Sequence, residues 1–489
     1  MNETIEITIF HTNDMHGRLE AIAKLSNFAR RLRRETEDAD RLVFFWDAGD
    51  AADRRIQICS VTKAAAFSPI LNTMGYDLQT MGNAISLPYG PQAMEDVAER
   101  AIFPILAANC RDGTGPSQSG LQDQVIIPLP GGLKIGVIGL TAPWGGLYEI
   151  FGLHFPDFLE LGREMVSALR TSGIPLVIVL SHLGLEDDRR LAEGVPGIDL
   201  IIGAHSHDRL PQGEFHNDVL IVQAGEYAQS LGRVDISISP QNGELVNRSA
   251  SLLDVPENEP PDPLVLEAIE LAEAEVDHIK AQPVGELETD LDLNHFNECG
   301  IGNLTADVLR ERLNADAAII ASGQFHTGLS AGRITFGQLD AACFSSANPC
   351  LTMVSGEQII QALERGLDPE INQYNHHGFR GTPVGIPQIS GMKVWYDENK
   401  PVGKRVKKVH IRKKSMDPDH MYKLAHTDAE TMGAYGYLVL NENQLTEHEV
   451  PTIVREAIED YLRRHSPVAK PSQGRWIQTG SLPAGQSSI

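Results

Sequence analysis

No apolar run in this chain approaches the length needed to cross a bilayer, which argues against a membrane-spanning helix. Cysteine is scarce. The five present (Cys59, Cys110, Cys299, Cys343, Cys350) are odd in number and nowhere spaced as Cys-x-x-Cys, which argues against a disulfide framework and a structural zinc site. Positive charge is in deficit: 41 lysines and arginines face 66 aspartates and glutamates, a formal net charge of −25. Long-range electrostatics therefore disfavour nucleic acid and anionic membranes as partners. The N-terminus lacks the basic and apolar stretches of a secretory leader, so a cytoplasmic location is expected. There is no internal repeat. What remains is 489 residues, 42% hydrophobic and 22% charged, the composition of a soluble globular protein of two to four domains.

What the chain does have is seven metal-ligand-type residues in its first 207 positions. They lie in Asp14-Met15-His16, Gly49-Asp50, Gly82-Asn83, Ser181-His182 and Gly203-Ala204-His205-Ser206-His207. Four of the five groups closely follow an apolar run: Ile7-Thr8-Ile9-Phe10, Leu42-Val43-Phe44-Phe45, Leu176-Val177-Ile178-Val179-Leu180 and Leu200-Ile201-Ile202. Such runs read as buried strands ending at loops. Loops beyond the carboxyl ends of strands in one sheet converge. Two Asp, one Asn and four His could thus meet, a mix of hard oxygen and imidazole that suits two divalent cations. Alternate residues of an extended segment point the same way, so His205 and His207 could flank one centre. Asp47 competes with Asp50 for a ligand role. Asp50 is preferred because Gly49 lets the backbone approach an ion.

Periodicity predicts strands at 5–10, 42–45, 124–128 and 133–140, and helices at 21–34, 62–74 and 156–171. That βα alternation implies a layered α/β domain over residues 4–245. Residues 246–283 read as a linker with a helix at 264–280. Residues 284–478 mix helices (303–313, 356–367) with strands (317–320, 392–396, 405–411), as in an α+β domain. Residues 479–489 read as a disordered tail. Arg30, Arg31, Arg33 and Arg34 read as a solvated helix face. The basic run from Lys404 to Lys414 reads as an exposed edge strand rather than a nucleic-acid site, and His376-His377 as a surface loop.

Several motifs carry a family resemblance. His11-Thr12-Asn13-Asp14-Met15-His16-Gly17, Gly49-Asp50, Gly82-Asn83, Ile105-Leu106-Ala107-Ala108-Asn109, Gly203-Ala204-His205-Ser206-His207 and Ile221-Val222-Gln223-Ala224-Gly225-Glu226-Tyr227 resemble the 5'-nucleotidase branch of the calcineurin-like metallophosphoesterases. Gly302-Asn303-Leu304-Thr305-Ala306-Asp307, Ala331-Gly332-Arg333-Ile334-Thr335-Phe336-Gly337 and Gln388-Ile389-Ser390-Gly391-Met392 resemble its C-terminal domain. The resemblance implies an α/β fold: an N-terminal four-layer α/β/β/α metallophosphoesterase domain and a C-terminal α+β 5'-nucleotidase-type domain for substrate recognition. It implies two divalent metal ions (Mn, Zn or Fe), one held by Asp14, His16 and His207, the other by Asn83, His182 and His205, with Asp50 bridging. The implied activity is hydrolysis of nucleotides or related small phosphate esters by a metal-bridging hydroxide.

The departures qualify that expectation. Where the family has a His after the ligand Asn, this chain has Ala84; where it has the Asp that orients that His, it has Leu87. No catalytic side chain beyond the metal-activated water is then expected. In the second domain the substrate loops are altered to Ala321-Ser322-Gly323-Gln324-Phe325-His326, Phe344-Ser345-Ser346-Ala347-Asn348 and Gly433-Ala434-Tyr435-Gly436-Tyr437. The candidate substrate-binding residues there are His326, Asn348, Tyr435 and Tyr437. The alternatives left open are a cyclic-nucleotide diesterase or sulfur-ester hydrolase on the same scaffold, or a catalytically weak, metal-dependent anion- or nucleotide-binding protein.

Overall fold

Short runs of β-branched and large apolar residues become the strands that carry the site. In the computed structural model, which describes residues 4–113, 120–375, 381–431, 433, 436–441 and 444–479, the chain divides into two compact units, 1–277 and 278–489. The strands of the first are β1 (Ile5–Thr12), β2 (Leu42–Asp47), β3 (Leu78–Thr80), β4 (Ile105–Leu106), β5 (Gln124–Pro128), β6 (Lys134–Thr141), β7 (Leu176–His182), β8 (Leu200–Ile202), β9 (Glu214–His216), β10 (Val219–Val222), β11 (Ser230–Ile238) and β12 (Leu245–Asp254). They form two six-stranded sheets, ordered β12-β11-β1-β2-β3-β4 and β5-β6-β7-β8-β10-β9. Strands β1 to β4 are parallel to one another, as are β6, β7, β8 and β10. Parallel pairing brings all their carboxyl ends to one edge of each sheet.

The sheets face each other. Ile7, Ile9, Trp46, Leu78 and Leu106 of the first pack on Ile135, Val137, Leu176, Ile178, Leu200 and Ile202 of the second. Alternation sends the next residues outward: Phe10 and Phe45 pack with Ile22, Leu25 and Phe28 of helix Leu19–Glu37. On the far side Val177, Val179, Ile201 and Ile221 meet helices Phe158–Thr171 and Leu185–Gly194. The result is four layers, α/β/β/α. The sheets approach tightly where β6 passes β4. A Cβ on Gly139 would lie 2.1 Å from Leu106 Cβ and 2.9 Å from its backbone carbon, so only glycine fits there.

Three expectations need correction. The helix expected over 62–74 is broken into Gln57–Thr62, a 3-10 turn at Ala65–Phe67, and Ser68–Met74. Lys63 (φ 52) and Ala64 (φ 70) adopt left-handed backbone that a helix cannot continue through. Residues 246–254 are not linker: β12 pairs along β11 and completes the first sheet. Helix Pro263–Ala281 buries Val265, Ala268, Ile269, Ala272 and Val276 in the same core as Phe10, so the first unit runs to Asp277. The arginine-rich helix face helps to hold that segment, with Arg30 2.9 Å from Asp262 and Arg31 3.1 Å from Glu259.

The second unit has a five-stranded sheet with Ala317–Ala321 and Met421–Thr427 at its centre and a four-stranded sheet built on Met392–Tyr396. Helices Gly300–Arg312, Gly356–Gly366 and Val454–His465 accompany them, an α+β arrangement. The basic strand Val406–Ile411 pairs with Met392–Tyr396 on one side, and on the other only its last two residues, His410 and Ile411, meet the two-residue strand Lys414–Ser415; Lys407 and Lys408 are exposed on the otherwise open outer side, as expected of an edge strand. All five cysteines are free and buried. Among the described residues no helix is long and apolar enough to cross a membrane.

Gly139→Ala is expected to destabilise the protein by about 1–3 kcal/mol, the usual cost of overpacking, because Leu106 would have to shift as a whole. Chemical denaturation reads it; an unchanged midpoint would show that the sheets are not in tight contact there.

Candidate metal centre

The loops after five parallel strands place the ligand-type residues. Asp14 and His16 follow β1, Asp50 follows β2, and Asn83 follows β3 as the first residue of helix Asn83–Arg100. His182 ends β7, and His205 and His207 follow β8. Five of these seven hold left-handed backbone without being glycine: Asp14 (φ 50), His16 (φ 46), Asp50 (φ 52), His205 (φ 73) and His207 (φ 61). Each costs roughly 1–3 kcal/mol unless the surroundings impose it. Here the loops bond one another. Asp14 N donates to Gly49 O (2.9 Å), His16 N to Asp50 O (2.9 Å), Gly17 N to Ala51 O (2.8 Å) and Tyr227 N to Asp14 O (2.8 Å). His205 N donates to Asp14 Oδ2 at 2.8 Å, tying the second sheet's loop to the first's.

Two clusters result. Asp14, His16 and His207 form one, and Asp50, His182 and His205 the other; within each, the ligand atoms lie within 4.8 Å of one another. In the first, Nε2 of His16 and Nε2 of His207 face each other at 3.1 Å, with Asp14 Oδ1 at 3.7 and 3.4 Å. In the second, His182 Nε2 is 3.3 Å from Asp50 Oδ2 and the His182 and His205 ring centres are 5.2 Å apart. Ala84 N donates to Asp50 Oδ1 at 2.8 Å, which joins the Asn83 loop to this cluster. Asp47 takes no part in either. Its carboxylate accepts from Thr12 Oγ1 (2.6 Å), Gln79 Nε2 (2.8 Å) and Gly49 N (3.0 Å).

The residues fit divalent cations. Asp14 Oδ1, Asn83 Oδ1 and His182 Nε2 are buried without a hydrogen-bond partner. Leaving such atoms unmatched is costly, and a cation would satisfy them. The spacing also suits: bonds of about 2.1 Å at octahedral or tetrahedral angles separate donors by about 3.0–3.4 Å.

Electrostatics reflect the crowding of charge. Burial pushes the Asp47 carboxyl up to about 7 against its three hydrogen bonds. Burial would also raise Asp50, but His182 and the Ala84 N–H more than offset it and hold Asp50 below the usual carboxylate range. Burial depresses His182, yet Asp50, Asp14 and the Ala48 carbonyl, 2.8 Å from Nδ1, outweigh it and hold the imidazole up at about 9. His205 is pushed down by burial and by His182.

Other residues shape the centre without having been singled out from the sequence. Asn13 Nδ2 donates to Gly225 O (2.6 Å) and Asp14 Oδ2 (2.8 Å), while its Oδ1 accepts from Ala224 N (2.8 Å). Ser181 Oγ donates to the buried Asp188 at 2.5 Å. Trp144 stands edge-on to His205 at 5.9 Å, and Arg18 lies over the Tyr227 ring at 4.4 Å. Glu226 sits 2.6 Å from His207 and Asp53 3.4 Å from His16. Asn13 and Glu226 fall inside matched motifs, which was the available signal. Asp53, Asp188, Trp144 and Arg18 had none.

The second unit's candidates divide. His326 is exposed and its ring lies tilted against Phe344, ring centres 3.7 Å apart at 41°. Tyr437 is a correction: its ring is buried in that unit's core and its hydroxyl is donated to Gly385 O, so no face is open for stacking. Asn348 is also spent, its side-chain amide donating to Thr452 O, distant in the chain, at 2.7 Å. Tyr435 and the His376-His377 pair lie outside the described residues. Gln324 is buried and donates to Thr427 Oγ1 (3.0 Å) and Glu430 Oε1 (2.9 Å) while accepting from Ser345 Oγ (2.6 Å).

A family model for calcineurin-like phosphoesterases matches residues 7–209, and one for the 5'-nucleotidase C-terminal domain matches residues 276–442. An uncharacterized metallophosphoesterase of Bacillus subtilis, YunD, is 25% identical over 457 aligned positions, covering 93% of this chain and 98% of its own. A snake venom 5'-nucleotidase of Naja atra is 26% identical over 544 aligned positions, covering 98% of this chain and 100% of its own. Among solved structures, a 5'-nucleotidase precursor from Thermus thermophilus matches with a TM-score of 0.51 at 24% identity, over 98% of this chain and 100% of that one, a likeness of fold.

His182 carries its proton up to about pH 9, and an imidazole must shed that proton to ligate a cation. Divalent-metal affinity at this cluster is therefore expected to rise about tenfold per pH unit from about pH 7 towards 9, with about one proton released. Calorimetric titration with Mn2+ in buffers of different ionisation enthalpy reads both quantities, and an affinity flat across that range would contradict the assignment.

Proposed function

We propose, for a chain that belongs to the 5'-nucleotidase branch of the calcineurin-like metallophosphoesterases, that it hydrolyses small phosphate monoesters, nucleotides among them, at a centre of two divalent cations. The observation that carries this reading is the convergence of ligand-type side chains from both sheets with buried, unspent atoms facing one another. Asp14, His16 and His207 would hold one cation and Asn83, His182 and His205 the other, with Asp50 shared. Bound there, the pair supplies positive charge that polarises a phosphoryl group and lowers the pKa of water.

The chain's own contribution is positioning. The Ala48 carbonyl takes the Nδ1 side of His182, which directs Nε2 toward Asp50. The Ala84 N–H pins one oxygen of Asp50 and leaves the other facing His182. His205 N and Asn13 Nδ2 both occupy Asp14 Oδ2, which leaves Oδ1 toward His16 and His207. Groups fixed in this way need no reorganisation when charge develops on the substrate. At position 84, however, a methyl group stands where a proton donor would serve the departing oxygen.

The test is turnover by the metal-loaded protein on phosphate monoesters, phosphodiesters and sulfur esters. Absence of monoester hydrolysis, with tight nucleotide binding, would overturn the reading in favour of a binding protein. Elemental analysis after mild purification is expected to approach two equivalents of Mn, Zn or Fe. Asp50→Ala is expected to fall below about one equivalent after dialysis, because a shared ligand supports both positions. Two ions held tightly by that variant would remove the shared role.

Leaving-group dependence follows from Ala84. Nitrophenyl phosphates are expected to react roughly 10²–10⁴-fold faster than alkyl or ribose 5'-esters, the usual worth of a general acid. Ala84→His should recover a small part on poor leaving groups, and Ala84→His with Leu87→Asp more. Rates independent of leaving-group pKa in the wild type would show that the proton comes from another residue.

A further inference from the structure

The two ligand clusters differ in what stands behind them. His182 is backed by a backbone carbonyl, Ala48 O at 2.8 Å. Around the His205 ring the described neighbours are the His182 ring at 5.2 Å and Trp144 at 5.9 Å, and no carboxylate pairs with it among the described residues. The other cluster is built differently. His207 Nδ1 lies 2.6 Å from Glu226 Oε2, and His16 Nδ1 lies 3.4 Å from Asp53 Oδ2. Both contacts are on the side of the ring opposite the Nε2 atoms, which face each other and Asp14 Oδ1. His207 thus has a carboxylate in close contact at its back, while Asp53 stands near His16 Nδ1 without a hydrogen bond to it.

Glu226 is put there at a cost. It lies in a turn with two successive non-glycine residues in left-handed backbone, Tyr227 (φ 59) and Ala228 (φ 58). Such a pair is unfavourable on its own. The turn is tethered to the first ligand loop. Asn13 bridges Ala224 N (2.8 Å) and Gly225 O (2.6 Å), and Tyr227 N donates to Asp14 O at 2.8 Å. The tethers lock the turn to the Asp14–His16 segment, with Glu226 beside His207.

We propose that Glu226, assisted by Asp53, is a positioning residue that makes the Asp14–His16–His207 site the tighter of the two, so that this site fills first. The proposal rests on the two-cation reading above. A carboxylate on the Nδ1 side of a ligand imidazole holds the tautomer with Nε2 free and makes the ring a stronger donor. A carbonyl does the first but adds no charge. Formal charge points the same way: Asp53 and Glu226 stand beside the Asp14 cluster, whereas the carboxylate nearest His182 is Asp50, which the two-cation reading shares between both sites. Arg18, over the Tyr227 ring, opposes this in part, and Glu226 is one-third exposed, so the effect is moderated by solvent. The contact of 2.6 Å is nevertheless too short for water to intervene.

The experiment is titration of the metal-free protein with Mn2+ alone, with free ion read by electron paramagnetic resonance. The wild type is expected to show a tight and a loose class of site. Glu226→Gln should weaken the tight class about 10–100-fold and leave the loose class within about twofold. Asn83→Ala should remove the loose class and spare the tight one. Should Glu226→Gln not fold, Asp53→Asn, acting on the other imidazole, reads the same effect in smaller measure. A merely structural role for the turn would weaken both classes together. The proposal is overturned if the tight class is unchanged in Glu226→Gln, if the loose class is the one affected, or if the wild type binds two ions with equal affinity. Failure of the wild type to bind Mn2+ at all would instead remove the two-cation reading and this inference with it.

Discussion

Buried negative charge is the constraint on which the rest of this structure turns. Asp14, Asp47 and Asp50 are all buried where parallel strands of one sheet end. A carboxylate there must find compensation or lose its charge. Asp47 shows the ordinary solution: three donors and a carboxyl pushed up to about 7. Asp14 and Asp50 show another. Each gives one oxygen to backbone N–H groups and turns the other toward imidazoles. Asp14 Oδ1, Asn83 Oδ1 and His182 Nε2 are left buried without a hydrogen-bond partner, an arrangement that a cation would complete.

Holding the donors in that state takes structure from every level. Parallel pairing aligns the strand ends, the sheet-to-sheet core brings the two edges together, and Gly139 lets β6 pass close to β4. The loops then depart from comfortable backbone. Five ligand residues in left-handed conformation amount to several kcal/mol of local strain. Bonds from loop to loop offset it: no one of these loops would hold its shape without the next. Rigidity around the ligands is thus a product of the whole four-layer unit rather than of any single motif.

Much of this was legible in the sequence, and the reason is physical. A buried parallel strand needs an unbroken apolar run, and a ligand at its end needs a polar or glycine break, so Val177–His182 and Leu200–His205 announce both at once. Periodicity was less informative where tertiary pairing decides. The segment 246–254 has a half-polar pattern because β12 is an edge strand, and it read as linker. Lys63 and Ala64 carry no signature of the left-handed turn that splits the expected helix. Charged residues at the centre's rim, Asp53 and Glu226, resemble any surface acid until the fold sets them beside His16 and His207. Tyr437 was a candidate because it ends the altered glycine motif at 433–437, and packing in one core cluster with Val384 and Leu438 gave it a core role.

The positions that depart from the family pattern are not left vacant. Ala84 keeps its backbone bond to Asp50, so the helix start that presents Asn83 survives the loss of the imidazole. Leu87 packs against the core, and beside it in the chain the Ser86 hydroxyl bonds the Tyr148 hydroxyl at 2.7 Å. In the second unit Gln324 joins two altered loops to each other through Ser345 and to Glu430, which also accepts from Ala321 N and Thr427 N. At Leu87 and Gln324 specific contacts fill the altered positions. The ligand set is meanwhile intact. The departures from the family pattern thus lie beside the two clusters of ligand-type side chains and in the second unit's loops, not within the clusters themselves.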